Sequence, residues 1–386
     1  LRRRRIPFIE FIRGLEPWNR VLSHAWTRRR PVAYADAVTF ICRFASFVSG
    51  KRSRAQKLFG EPNVISTTAT EQEKFKLFIA THYFRDVYTD VFAIRIMRSL
   101  LRFSGVRAAY ITTANERNLT TTIACKLENI PTVGILHGFA SRFYNSYEFI
   151  PGYEGERLMG VDTYGLWSEW WRKYFTTYSK AYAPGRLFVS GPMRPFQITG
   201  APTAANMTKD SPKRPIKVLF VAGELSAPQE LMPYAQALIG DSEISFHLTF
   251  RPYRDGFENW LKQNNPRFIE SMDPKKIFRG RRIQEDIAAC DVVVGTYSTA
   301  ALEALLQLKP VIFFNTGKWG DYFGMKERNS AHSFFADNPH ELLERIKMSP
   351  AIPVKELKHL QEQFFGDPRQ NGSAWVVDQI EKFLKR

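Results

Sequence analysis

The chain has 386 residues, 44% hydrophobic and 24% charged; these are globular values, so wholesale disorder is excluded and two domains are favoured over one. Its three cysteines, Cys42, Cys125 and Cys290, stand far apart, which excludes a disulfide scaffold or a cysteine zinc cluster and suits a reducing compartment. Fifty-five Lys and Arg against 38 Asp and Glu leave a charge of +17, the surface of a protein that meets phosphate in nucleic acid, anionic lipid or a phosphorylated substrate.

That excess sits mostly at the start. Residues 1–60 hold 14 Lys and Arg against Glu10, Glu16 and Asp36, so +11 of the +17 lies there. A signal peptide is not expected, because Glu10, Arg13, Glu16 and Arg20 interrupt the apolar run. Residues 31–50 contain Asp36 and Arg43 and make a poor membrane span. The Arg-rich start with Phe11, Trp18 and Trp26 instead suits either a segment lying on an anionic membrane or an ordinary solvated basic face.

Residues 31–107 read as mostly helical. After them, short β-branched runs alternate with helical patterns. Ala108–Thr112, Thr132–Leu136, Asp162–Leu166 and Arg186–Ser190 are predicted strands, with helices over Asn118–Glu128 and Ser168–Tyr178. Residues 198–215 are small, polar and proline-bearing and read as a linker. Beyond it, strands are expected at Lys217–Ala222, Ile244–Phe250, Val292–Val294 and Val311–Phe314. Helices are expected at Gln229–Ile239, Arg282–Ala289, Thr299–Leu308 and Ala374–Lys385. Short, fully apolar runs between helices indicate parallel strands covered on both faces. The expected fold class is therefore α/β, with two doubly wound, Rossmann-like domains facing across a cleft: 1–197 with its basic N-terminal segment, and 216–386 after the linker. Ligands would bind at the carboxyl ends of the strands.

The strongest site signal begins at Asp291. A strand leads through Gly295 to Thr296, Ser298 and Thr299 and then into a helix, so hydroxyls and backbone N–H groups converge at a helix start, an arrangement suited to an anion. Glu303, five residues after Ser298, is placed to meet a ribose hydroxyl. Ser298 or Thr299 also suits a plain helix cap. Arg251-Pro252 follows the strand Ile244–Phe250, and its guanidinium fits phosphate or a neighbouring acid. Glu224 follows the strand Lys217–Ala222 and suits orienting a sugar or moving a proton, while Ser226 suits capping the next helix. His137-Gly138 ends the strand Thr132–Leu136, where His137 suits a general base or a structural role. Glu116 lies at another strand end and is the second candidate carboxylate.

The run Ser298, Thr299, Glu303, Ala304, Leu305, Lys309-Pro310 resembles the Ser/Thr motif of GT-B glycosyltransferases of bacterial surface-polysaccharide synthesis. It is similar in form to the capsule Kdo- and sialic-acid-transferring enzymes and the CDP-glycerol glycerophosphotransferases. The resemblance covers residues 217–320 well, 108–195 loosely and 1–105 not at all. It implies that Ser298, Thr299, Thr296, Gly295 and Glu303 hold the phosphate and ribose of a nucleotide-sugar donor. Arg251 stands where those families place His-Pro, which makes a CMP-sugar donor less firmly identified. The implied reaction moves a sugar, Kdo or a related acidic one, to a glycan or lipid-linked glycan. The implied setting is the cytoplasm, peripheral to the inner membrane face. No Asp-x-Asp, P-loop, Gly-x-Gly-x-x-Gly or zinc spacing occurs, so no metal or cofactor is expected. A nucleotide-sugar 2-epimerase shares the two-domain design and is the second enzymatic reading. A nucleic-acid-binding protein is the reading from another class, suggested by charge alone.

Overall fold

A computed structural model describes residues 4–12, 32–48, 89–112, 119–138, 160–179, 181–193, 214–223, 226–250, 255–280, 282–317, 320–326, 328 and 332–385. The chain is α/β. It forms a four-stranded sheet and a six-stranded sheet, whose described strand pairings run parallel. It divides into two compact units. One comprises residues 1–134, 154–163 and 374–386; the other comprises 135–153 and 164–373. Residues 194–213, which hold all but the last two positions of the expected linker, lie outside the described residues.

In the first unit, β1 (Glu10–Ile12) and β2 (Val32–Tyr34) form a short parallel pair. Helix α1 (Ala35–Val48) follows, and a second helix spans 89–103. Strand β3 (Ala109–Tyr110) pairs with the start of β4 (Thr132–Ile135), and helix α2 (Leu119–Leu127) connects them. Asp162 ties this corner. It accepts hydrogen bonds from the Thr132 backbone N–H and hydroxyl, both at 2.8 Å, and pairs with Lys126. The last helix, α9 (Gly372–Leu384), belongs mostly to this unit, and the Arg107 guanidinium donates to the Leu384 carbonyl at 2.6 Å.

The second unit holds the larger core. It contains β5 (Thr163–Leu166) from Tyr164 onward, paired in parallel with β6 (Leu187–Val189). Between these strands runs helix α3 (Glu169–Tyr178). The six-stranded sheet contains β7 (Ile216–Val221), β8 (Ile244–Phe250), β9 (Ile277–Arg279), β10 (Val292–Gly295), β11 (Val311–Phe314) and β12 (Phe335–Ala336). Its order is β12-β11-β10-β7-β8-β9. Counted within this sheet, that is strand order 3-2-1-4-5-6, the doubly wound arrangement. β10 and β11 are buried at every position, as strands covered on both faces must be. β8 alternates buried and half-buried residues. In the middle of the core Phe220 meets Phe246 and Phe257 at a tilt and stacks on Phe314, which stacks in turn on Tyr234.

Helices α4 (Pro228–Gly240), α5 (Gly256–Asn264), α6 (Ile283–Ala289), α7 (Pro339–Met348) and α8 (Val354–Phe365) complete this unit. α8 packs on α3. The Trp171 indole donates to the Phe364 carbonyl at 2.9 Å, and the Arg328 guanidinium lies 4.2 Å from the Trp170 ring and 4.0 Å from the Phe364 ring. No helix among the described residues is long and apolar enough to cross a membrane.

Candidate functional site

In a doubly wound sheet the crevice opens where the strand order reverses, beyond the carboxyl ends of the two strands that flank the reversal. Here those strands are β7 and β10. β7 ends at Val221 and leads into Ala222-Gly223, and β10 ends at Gly295 and leads into Thr296. The two ends are neighbours because Val221 pairs with Gly295. Candidate residues far apart in sequence therefore meet at one edge.

The loops are closely fitted. A Cβ on Gly295 would stand 3.1 Å from the Val221 carbonyl oxygen and 3.2 Å from the Ala301 Cβ. Gly295 thus lets the segment after β10 lie directly on the strand ends. A Cβ on Gly223 would run into the Thr296 hydroxyl and stand 3.2 Å from the Ser226 Oγ. Ser226 donates to the Thr296 hydroxyl at 3.0 Å, and both residues are buried. Ser226 is therefore not the cap of α4. That position falls to Ala227, which makes no side-chain cap bond.

Ser298 is the N-cap of the next helical segment, and its hydroxyl makes no cap hydrogen bond there. The first backbone closure is the Ala301 N–H donating to the Ser298 carbonyl at 3.0 Å. The Thr299 and Ala300 N–H groups precede that closure, and the first N–H groups of any helical segment have no partner within it. The helix expected over 299–308 is shorter than its apolar pattern suggests. It has one α-turn, Thr299–Leu302, then a 3₁₀ stretch, Glu303–Gln307, ended by Leu308 at φ 52°. The Lys309 ammonium reaches back to the Ile287, Ala288 and Cys290 carbonyls at 2.8, 2.8 and 2.5 Å, closing the end of α6. Lys309 of the motif is thus a helix cap for a neighbouring element, and burial pushes its ammonium pKa down.

Glu303 sits at the junction of the α- and 3₁₀-turns and is half-buried. The Gln284 side-chain amide donates to its Oε2, and the Gln284 carbonyl accepts from the Gln307 amide at 2.8 Å. Burial pushes the Glu303 carboxyl up to about 7, against the opposing pull of the Gln284 hydrogen bond. Gln284 was not singled out from the sequence, because nothing local in its helix marks it as a partner of a residue 19 positions away.

The second unit also brings the end of β4 to this edge. A Cβ on Gly138 would stand 3.9 Å from the Thr299 Cγ2. His137, beside it, is exposed. At the end of β11, Thr316 is buried, and a Cβ on Gly317 would lie 3.2 Å from a Glu230 carboxylate oxygen. Asp255 caps α5, accepting from the Phe257 and Glu258 N–H groups at 2.9 and 3.0 Å. Glu224, Arg251 and Glu116 lie outside the described residues. The structure thus gathers Gly295, Thr296, Ser298, Thr299 and Glu303 on one segment beside Gly138, with Gly223 and Ser226 against them. Among the described residues no three His, Cys, Asp or Glu side chains group as metal ligands.

No protein-family model matches the chain, and no curated protein matches it in sequence. Among solved structures it is similar to HepE of Anabaena in complex with UDP-glucose, at 15% identity over 75% of this chain and 82% of that one, TM-score 0.47. It is similar to the UDP-GlcNAc 2-epimerase of Methanocaldococcus jannaschii in complex with UDP-GlcNAc and UDP, at 11% identity over 77% and 81%, TM-score 0.48. It is also similar to a glycosyltransferase from Rickettsia africae, at 12% identity over 98% of both chains, TM-score 0.48. What those proteins bind is a property of those proteins. The chain described here is an α/β protein with two parallel sheets, and its candidate site is the switch-point edge of the larger one.

Proposed function

We propose that this chain is a nucleotide-sugar-dependent enzyme of the GT-B type, with glycosyl transfer as its reaction. The observation that carries the reading is the Ser298 hydroxyl: it stands at a helix start on the switch-point edge and is not spent as a cap. A phosphate there would accept from the Ser298 hydroxyl and from the Thr299 and Ala300 N–H groups. Because α-helical winding lasts only one turn, hydroxyls and N–H groups, more than a macrodipole, supply the attraction. Ionised Glu303 would accept a ribose hydroxyl. Arg251, at the end of β8, is the proposed cationic partner of the phosphate.

Transfer then requires stabilising the departing phosphate and taking a proton from the acceptor hydroxyl. His137, Glu224 and Glu116 are the proposed candidates for the base. The preference for a CMP-linked acidic sugar rests on the motif resemblance alone, as does a glycan or lipid-linked acceptor; the expectation of no metal rests on the lack of an Asp-x-Asp or zinc spacing in the sequence.

The test is a thermal titration with CMP, CDP, UMP, UDP, GDP and ADP. A ligand bound only by the native state raises the melting midpoint by mass action. One nucleotide should raise it clearly and name the donor class. No shift at millimolar concentration with any of them would overturn the reading. With the donor known, incubation without acceptor separates transfer from epimerisation: a 2-epimerase converts the donor alone, whereas a transferase yields a glycosylated product only when acceptor is added.

A further inference from the structure

Helix α1 carries an apolar stripe that nothing among the described residues covers. Phe40, Ile41, Phe44, Phe47 and Val48 are 71%, 53%, 62%, 75% and 66% exposed. At 100° per residue these five side chains span about 120° of the helix, whereas Cys42, fully buried, stands roughly 160° from the centre of that arc. The helix is therefore seated by its Cys42 side, where burial and the Asp90 carboxylate push the thiol up. The opposite side presents three phenyl rings and two aliphatic chains to solvent. Single exposed apolar side chains are ordinary; five on one stripe are not.

The sequence on either side of the stripe is basic. Arg28, Arg29 and Arg30 precede the helix, and Lys51, Arg52, Arg54 and Lys57 follow it. With Arg43 and Asp36, residues 28–57 carry eight cations and one acid, a net +7. A second copy would set +7 against +7, which disfavours pairing through this face. An anionic lipid surface satisfies both halves of the pattern at once, taking the rings into the headgroup boundary while its charge attracts the flanking cations.

We infer that α1 is an interfacial helix that docks the protein on an anionic bilayer through Phe40, Phe44 and Phe47. The Arg-rich stretch with Trp18 and Trp26 lies outside the described residues. The inference does not depend on the nucleotide site, and the nucleotide titration and the vesicle measurement fail separately.

The test is flotation of the full chain with vesicles of phosphatidylcholine alone and of phosphatidylcholine with phosphatidylglycerol. Binding is expected only to the anionic vesicles, and it should weaken as salt rises from about 0.1 to about 0.5 M, because screening shortens the reach of the flanking charges. Phe40→Gln/Phe44→Gln/Phe47→Gln should lower the partition coefficient about a hundredfold or more, since three buried rings are lost. Lys51→Glu/Arg52→Glu/Arg54→Glu, at positions that follow Val48 in the sequence, should lower it about tenfold or more. The melting midpoint and nucleotide response of each variant report whether it is folded. Equal binding by the folded triple-Gln variant would overturn the inference. So would failure of the native chain to bind anionic vesicles, or a dimer of the native chain that the triple-Gln substitution dissolves; the last outcome would assign the stripe to a second copy.

Discussion

Two serines open helical segments in the same setting and are used in opposite ways. Ser168 follows β5 and opens α3; Ser298 follows β10 and opens the 299–307 segment. Both are buried, at 2% and 8% exposure. The Ser168 hydroxyl is committed twice, accepting from the Trp171 N–H at 3.3 Å and donating to the Gln363 carbonyl at 2.5 Å. The Ser298 hydroxyl makes no cap bond. The same element order thus yields a structural rivet at one strand end and an uncommitted donor at the other. Helix α8 supports both ends: its Gln363 carbonyl takes Ser168, and its Gln361 amide donates to the Leu305 carbonyl at 2.7 Å. The lesson is that a Ser at a helix start is a binding candidate when its cap bond is missing, not because it is a Ser.

The largest expected effect tests the rivet. Gly366 ends α8 at φ 64°, ψ −133°, and a Cβ there would run into the Trp167 carbonyl. Gly366→Ala should cost more than about 3 kcal/mol, since both backbone region and space forbid a side chain. A loss under about 1 kcal/mol by denaturant unfolding would refute this account of how α8 meets the start of α3. Ser168→Ala comes next, at about 2 kcal/mol, for a lost cap and an orphaned Gln363 carbonyl. Its nucleotide affinity should be native; a fall in affinity without a fall in stability would reverse the assignment of the two serines.

Lys309→Met should also cost about 2 kcal/mol, because three carbonyls at the end of α6 lose their donor. An unchanged unfolding midpoint would show that water replaces the ammonium there. The effect of Glu303→Gln depends on pH. The folded carboxyl is raised to about 7 from an ordinary value of 4.5, so the native state favours the protonated form. Stability linked to that proton is fully present below about 4.5 and is lost as pH rises through about 7. The Gln variant should therefore exceed the native protein by on the order of 2 kcal/mol at pH 8, with the gap closing by pH 5. A gap independent of pH would remove the ionisation from the explanation. Smallest in stability is Ser298→Ala, within about 0.5 kcal/mol of native. That variant should nevertheless lose about tenfold or more in nucleotide affinity by titration. A loss of stability with native affinity would make Ser298 a cap after all.

Much of the second unit was legible because its signals are local. Ile244–Phe250 and Val311–Phe314 were read at their observed boundaries, since β-branched and aromatic runs of that length have few other uses. Helices α7 and α8 were not anticipated; they lie in polar, Glu- and Lys-rich stretches whose apolar faces only packing reveals. The apolar pattern after Thr299 reads as one helix to Leu308, but α-helical winding stops at Leu302 and 3₁₀ winding runs from Glu303 to Gln307.

The sequence by itself determined the material of the site: a strand, Gly295, then Thr296, Ser298, Thr299 and Glu303 in an order suited to phosphate and ribose. These are short-range facts, fixed by covalent spacing and turn chemistry. Only the tertiary structure decided that β7 and β10 are neighbours, that Ser226 binds Thr296 rather than a helix end, and that Gly138 comes up against Thr299. It alone decided which serine is spent, because the groups that spend Ser168 include a carbonyl 195 residues away. Local propensity chooses the elements. Burial and the need to satisfy each buried polar group choose their partners, and those partners lie anywhere in the chain.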